Sequence, residues 1–144
     1  MADAATAMAK RCAEAMWATD KASQALGMKL IDVTPGRAEM EMPVTDTMIN
    51  GHGMCHGGFI FTLADSAFAF ACNSYNQRTV AQHCAVTFIK AAKQGDRLTA
   101  KAVERSRTGR SGIYDVTVTN GFDDVIAEFR GHSRRIDGTL VSVE

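Results

Sequence analysis

From about Gly58 to Asn73 the chain is apolar at nearly every position, whereas the stretches on either side alternate. At 100° per residue, Ile60, Leu63, Ala64, Ala67, Phe70 and Ala71 fall on one broad stripe, the face a helix turns toward a sheet. The other side holds Phe61, Thr62, Phe68, Ala69 and Cys72, and among them a single carboxylate, Asp65. A helix that is apolar nearly all round is buried nearly all round. A chain of 144 residues has little left to cover the second face, so a partner subunit is the economical cover.

The flanking segments have simple periods. Residues 2–26 are alanine-rich, with Met8, Cys12, Ala15 and Met16 at helical spacing and Gly27 as the stop, which predicts one N-terminal helix. Met28 to Val33 reads as a short strand, Pro35-Gly36 as a turn, and Arg37 to Met42 as the returning strand of a hairpin. A polar loop runs from Thr45 to Gly57. Beyond the apolar helix, Thr79 to Lys90 places Val80, Cys84, Val86 and Phe88 on one face. Arg97 to Arg107 alternates around Leu98, Ala100 and Ala102, and Ile113 to Asn120 turns Tyr114, Val116 and Val118 inward. After Asn120-Gly121, Val125 to Ile136 closes the series. A hairpin, one central helix and an antiparallel run make an α+β fold, a sheet packed on a helix. The divisions expected are an N-terminal helical extension (1–26), the main domain (27–138) and a C-terminal tail (139–144).

Charge and composition narrow the function. Sixteen basic and sixteen acidic residues cancel, which argues against nucleic acid or another polyanion as partner. A hydrophobic content of 46% with two prolines excludes a disordered chain. Neither a signal peptide nor a membrane span is discernible, so the expectation is a soluble cytoplasmic protein with no membrane partner. Cys12, Cys55, Cys72 and Cys84 form no C-x-x-C pair. His52, Cys55 and His56 stand close together, but no fourth ligand is signalled nearby. They read as a hydrogen-bonding loop with a free thiol, and no metal is expected.

The chemistry lies where the polar loop meets the apolar helix. Glycines at a helix entrance leave the first N–H groups free to donate to a ligand oxygen. Gly57 is the candidate oxyanion donor, with Gly58 beside it; the alternative is an ordinary turn glycine. An acid on an apolar helix is costly unless it has a partner or a task. Asp65 is either a general base or nucleophile, or a carboxylate tied to Ser66 or Thr62. His56 either orients the loop or contacts a substrate oxygen or sulfur, and Asn50 either positions water or makes an Asx-turn. Thr62 and Ser66 are lesser candidates for substrate contact. Phe61, Phe68 and Tyr114 are candidates for an aryl pocket or for plain core. Arg105, Arg107 and Arg110, in a Ser- and Gly-containing run, read as a phosphate-binding patch or a solvated hairpin end. Eight positions along one helix put Gly57 and Asp65 roughly 12 Å apart, too far for one carbonyl group to touch both. If both act on one substrate they come from different subunits, on two helices antiparallel across a two-fold axis.

The spacing Asn50-x-x-Gly53-x-x-His56-Gly57-Gly58, followed by Leu63-Ala64-Asp65-Ser66-Ala67 and Ala71-Cys72-Asn73-Ser74, resembles the hotdog-fold acyl-CoA thioesterases, within them the PaaI-like branch of phenylacetate degradation. Gly95-Asp96, the strand Gly112 to Val118, Phe129-Arg130-Gly131 and Arg135-Ile136-Asp137-Gly138 extend the likeness over most of the chain, weakly before Leu26. The resemblance implies a long helix wrapped by an antiparallel sheet, homodimers that join their sheets, and homotetramers. It also implies a substrate carbonyl held by the Gly57 N–H and a carboxylate, Asp65, from the neighbouring subunit. Coenzyme A would enter as part of the substrate, with no separate cofactor, and the acyl group implied is phenylacetyl or hydroxyphenylacetyl. Where many relatives carry an Arg-Pro or Lys-Pro pair, this chain has no proline near Lys90-Ala91-Ala92. Two other readings stay open: a hydroxyacyl-thioester dehydratase using His56 and Asp65, and a non-catalytic acyl-CoA binding module.

Overall fold

The computed structural model describes residues 3–143. Two N-terminal helices, α1 (Ala4–Thr19) and α2 (Lys21–Ala25), precede the hairpin β1 (Lys29–Thr34) and β2 (Arg37–Pro43). A 3₁₀ turn at Asp46–Met48 leads to the central helix α3 (Gly57–Cys72), and then come β3 (Thr79–Phe88), β4 (Arg97–Thr108), β5 (Ser111–Thr119) and β6 (Val125–Arg135). One antiparallel sheet of six strands in the order β1-β2-β4-β5-β6-β3 curls about α3. This is the hotdog arrangement the motif resemblance implies. No helix among the described residues is long and apolar enough to cross a membrane.

The single N-terminal helix expected over 2–26 is broken at Asp20. Its carboxylate accepts from Ser23 N at 3.0 Å and Ser23 Oγ at 2.7 Å, so it caps a new helix instead of extending the old one. Gly27, at φ 72°, supplies the left-handed stop. The end of α3 is tied to the first hairpin by Ser74: its Oγ donates to Ala71 O at 2.7 Å and accepts from Gly36 N at 2.8 Å. Gly36 sits at φ 74° with Tyr75 Oη against it, which makes the Pro35-Gly36 turn a fixed corner.

All six stripe residues of α3 are buried, facing chiefly β2, β4 and β5. The other face is not left wholly to a partner, as the helical wheel suggested. Phe68 and Cys72 are buried by the chain itself, because the sheet curls far enough to bring Tyr114 and Phe129 to within 5.6 and 5.8 Å of the Phe68 ring. Phe61, Thr62, Asp65 and Ala69 remain half-buried along the open flank. Next to that flank runs β3, whose other side has no strand beside it among the described residues. The pattern expected Val80, Cys84, Val86 and Phe88 to face the core; only Cys84 and Val86 are half-buried, while Val80 and Phe88 are exposed. A bulge between Ala81 and His83 and the position of β3 at the sheet edge account for the difference.

Packing around Phe68 makes one stability prediction. A Cβ on Gly131 would lie 2.8 Å from three atoms of the Phe68 ring, and that ring is only 1% exposed. Gly131→Ala should cost about 1–3 kcal/mol through overpacking, seen as a lower urea midpoint at unchanged slope. An unchanged midpoint would show that the ring has room to shift.

Candidate active site

The loop from Asn50 to His56 is braced from within. Asn50 Oδ1 accepts from His52 N at 2.9 Å and from Met54 N at 3.2 Å, and Gly53 N returns to Asn50 O at 3.0 Å. Of the two readings of Asn50, the Asx-turn is the one its oxygen makes. His56 N–H donates to Met48 O at 2.8 Å, which locks the loop end onto the 3₁₀ turn. The His56 ring then caps α3: Nδ1 accepts from Gly58 N at 2.9 Å. An accepting Nδ1 leaves Nε2 as the protonated nitrogen of the neutral ring, pointing a donor outward. The Cys55 thiol is buried, 3.7 Å from His56 O.

Gly57 is the first residue of α3, and no acceptor among the described residues takes its N–H. A free amide at the positive end of a long helix is a ready donor to a developing oxyanion. A Cβ here would stand 2.7 Å from Phe88 Cζ, since the exposed Phe88 ring lies across the helix entrance. Beside it opens a cavity of about 320 Å³ lined by Asn50, Met54, Gly57, Ile60, Phe88 and Ile89 among others. Phe88 and Ile89 are 51% and 57% exposed, an apolar pair at the mouth of a site.

Asp65 lies two turns along the helix. The tethers that would make it structural are engaged elsewhere. Thr62 Oγ1 donates to Gly58 O at 2.8 Å, and Ser66 Oγ pairs with Ser23 Oγ at 3.0 Å. The sole side-chain neighbour within hydrogen-bonding range, among the described residues, is the Cys84 thiol, with Sγ 4.0 Å from Oδ1. Burial holds the Asp65 carboxyl above the ordinary carboxylate value. It also raises the Cys84 thiol, aided by the Asp65 charge, and pushes Cys72 up to about 12. Among the described residues no cation pairs with Asp65, so nothing offsets the effect of burial on its carboxyl.

Phe61 is half-buried on the same flank, its ring 5.5 Å from Phe129, while Phe68 and Tyr114 are core side chains. The three arginines are not gathered at this end. Arg105 pairs with Asp115 at 3.3 Å on the outer sheet face. Arg107 pairs with Glu104 at 3.6 Å, its guanidinium 3.5 Å from the Tyr75 ring centre, and Arg110 with Asp137 at 3.8 Å. The last two lie at the C-terminal end of α3, beside Cys72 and Tyr75. Within one chain, then, Gly57, Asn50 and His56 form one cluster, Asp65 stands apart, and Arg107 and Arg110 lie beyond it.

Two residues of this region escape a reading of the sequence. Strand alternation assigns Phe88 to the core and groups Cys84 with it. Only the edge position of β3 brings one over Gly57 and the other beside Asp65.

Comparison with known proteins places the chain in a family. Residues 52–127 match the family described as "Thioesterase superfamily". The chain belongs to the thioesterase superfamily. Acyl-coenzyme A thioesterase PaaI of Escherichia coli (strain K12) is 44% identical over 128 residues, which are 89% of this chain and 91% of that protein. The structure of the E. coli PaaI protein from the phenylacetic acid degradation operon superposes with a TM-score of 0.93 at 42% identity, covering 94% of this chain and 99% of that one. A mutant structure of the phenylacetic acid degradation protein PaaI from Thermus thermophilus gives 0.76 at 35% identity, covering 79% and 97%. The thioesterase match begins at His52 and so takes in the His56 cap, Gly57 and Asp65.

Proposed function

We propose that the chain is an acyl-CoA thioesterase that hydrolyses aryl-acetyl-CoA substrates, phenylacetyl-CoA or its hydroxylated forms, to the free acid and coenzyme A. The observation that carries this reading is the pairing of two unspent groups on one helix. The Gly57 N–H has no acceptor among the described residues, and the Asp65 carboxylate is left free by Thr62 and Ser66. The thioester carbonyl oxygen accepts from Gly57 N–H, where the helix dipole favours the charge that develops. Asp65 removes a proton from water as it attacks the carbonyl carbon, or attacks that carbon itself to give a mixed anhydride that water then opens. Either route expels the coenzyme A thiolate, with the outward Nε2–H of His56 placed as a donor at the same end of the helix.

The separation of Gly57 and Asp65, roughly 12 Å along one helix, makes the working unit a homodimer, each site taking Gly57 from one chain and Asp65 from the other. The half-open flank at Phe61, Thr62 and Asp65 and the unpaired edge of β3 support a second copy there. A homotetramer would pair two such dimers. In a dimer, Arg107 and Arg110 from the far end of the partner's helix are candidates for coenzyme A phosphates. The aromatic preference draws on the names of the related proteins and on the exposed Phe88 and half-buried Phe61 near the two reacting groups.

A panel of acyl-CoA esters, aromatic against short and long aliphatic, with released thiol measured colorimetrically, tests this. The expected outcome is thiol release with the highest kcat/KM for arylacetyl esters. Binding without thiol release would overturn hydrolysis, and a preference for aliphatic chains would overturn the aryl assignment.

A further inference from the structure

Cys84 has no part in the chemistry described so far, yet among the described residues it is the one side-chain hydrogen-bond partner of the carboxylate on which that chemistry turns. It projects from the middle of β3 toward α3, half-buried, with Sγ 4.0 Å from Asp65 Oδ1. The other candidate donors around Asp65 are engaged. Thr62 and Ser66 are held by Gly58 O and Ser23, and the Cys72 thiol donates to Ala69 O at 3.5 Å. No lysine, arginine or histidine pairs with Asp65 among the described residues. The titratable groups facing it are therefore Cys84 from β3 and Cys72 from α3 itself.

We propose that Cys84 is a positioning residue for Asp65, its S–H donating to Oδ1 so that the carboxylate is held in one rotamer and kept ionised. A half-buried carboxylate with no donor holds its proton to higher pH, and as the neutral acid it can neither accept one from water nor attack a carbonyl. A thiol suits the position because it is a weak donor. It favours the anion while lowering its basicity less than a guanidinium or an amide N–H would. Burial on an edge strand, where Cys84 pairs with Gly131 of β6, fixes the sulfur relative to the helix. The inference rests on the catalytic reading of Asp65.

The test compares Cys84→Ala with Cys84→Ser through the pH dependence of kcat/KM. Loss of a weak charge-assisted bond should move the acid limb of Cys84→Ala up by about half a pH unit. Below the limb that is about a threefold loss of kcat/KM, carried by kcat with KM unchanged. Cys84→Ser, which keeps a donor, should hold the limb in place. An unmoved limb in folded Cys84→Ala, or equal shifts in both variants, would overturn the proposal. A second measurement needs no change at position 84: alkylation of Cys84 by iodoacetamide, followed by peptide mass, in wild type and Asp65→Asn. Removing the anion should speed alkylation, and rates that do not differ would also overturn it. An active Asp65→Asn would instead remove the catalytic reading beneath the inference, leaving the alkylation result to report on the contact alone.

Discussion

Asp65→Asn is expected to fold normally, to lose about 10²–10⁴-fold in kcat, and to be more stable than the wild type at neutral pH. The amide is nearly the same size as the acid and sits on the same half-buried flank, so nothing in the packing changes. It cannot accept a proton or attack as an anion, so the rate falls. Stability moves the other way because burial holds the folded-state pKa of Asp65 above its unfolded value. Such a group keeps its proton longer in the folded state than in the unfolded one. Asp65's own contribution to stability is therefore most favourable at acid pH, declines as pH rises from its unfolded pKa to its folded one, and stays at the lower level above it. The variant lacks that decline. Urea midpoints should favour Asp65→Asn at pH 7, and the gap should close as pH falls below both values. Catalytic carboxylates of this kind are held at a cost to the fold. Near-normal turnover in the folded variant would end the assignment of Asp65. Lost turnover with a lower midpoint would show that Asp65 is a structural tether after all.

That Asp65 needs either a task or a tether is legible in the sequence, because an isolated acid on a helix apolar all round is energetically conspicuous. The same wheel places all six core positions of α3 correctly, since helical periodicity is a local property of the chain. Strand alternation likewise places Leu98, Ala100, Ala102, Tyr114, Val116 and Val118 in the core. What cannot be read is set by neighbours distant in sequence. Alternation in β3 cannot tell a central strand from an edge strand, so Phe88 looks like core when it covers Gly57. Whether Ser66 ties down Asp65 depends on Ser23, forty-three positions away. The break at Asp20 is a local signal that is easily passed over: an Asp three positions before Ser23 is a helix cap, and the alanine rhythm on both sides masks it.

Gly57→Pro is expected to abolish most activity and to regain it when mixed with Asp65→Asn. Proline suits the first position of a helix, where the lost N–H had no intrahelical partner. His56, at φ −63° and ψ 132°, already has the extended conformation required of a residue before proline. The new Cβ meets the Phe88 ring at 2.7 Å, and as the exposed end of a side chain that ring can swing aside. Gly57→Ala meets the same ring while keeping the N–H, so the difference between the two variants isolates the donor. Loss of one oxyanion donor costs about 10²–10³-fold in kcat. In a co-refolded mixture of Gly57→Pro and Asp65→Asn, each mixed dimer holds one site with both groups intact and one site with neither. At equal input, random pairing makes half the dimers mixed, so activity should recover to about a quarter of the wild-type level. Both parents lie far below that. Mass spectrometry under native conditions would establish that the mixed dimers form. If they form and the rate stays at that of the parents, Gly57 and Asp65 act within one chain or one of them is not catalytic, and the shared site is wrong.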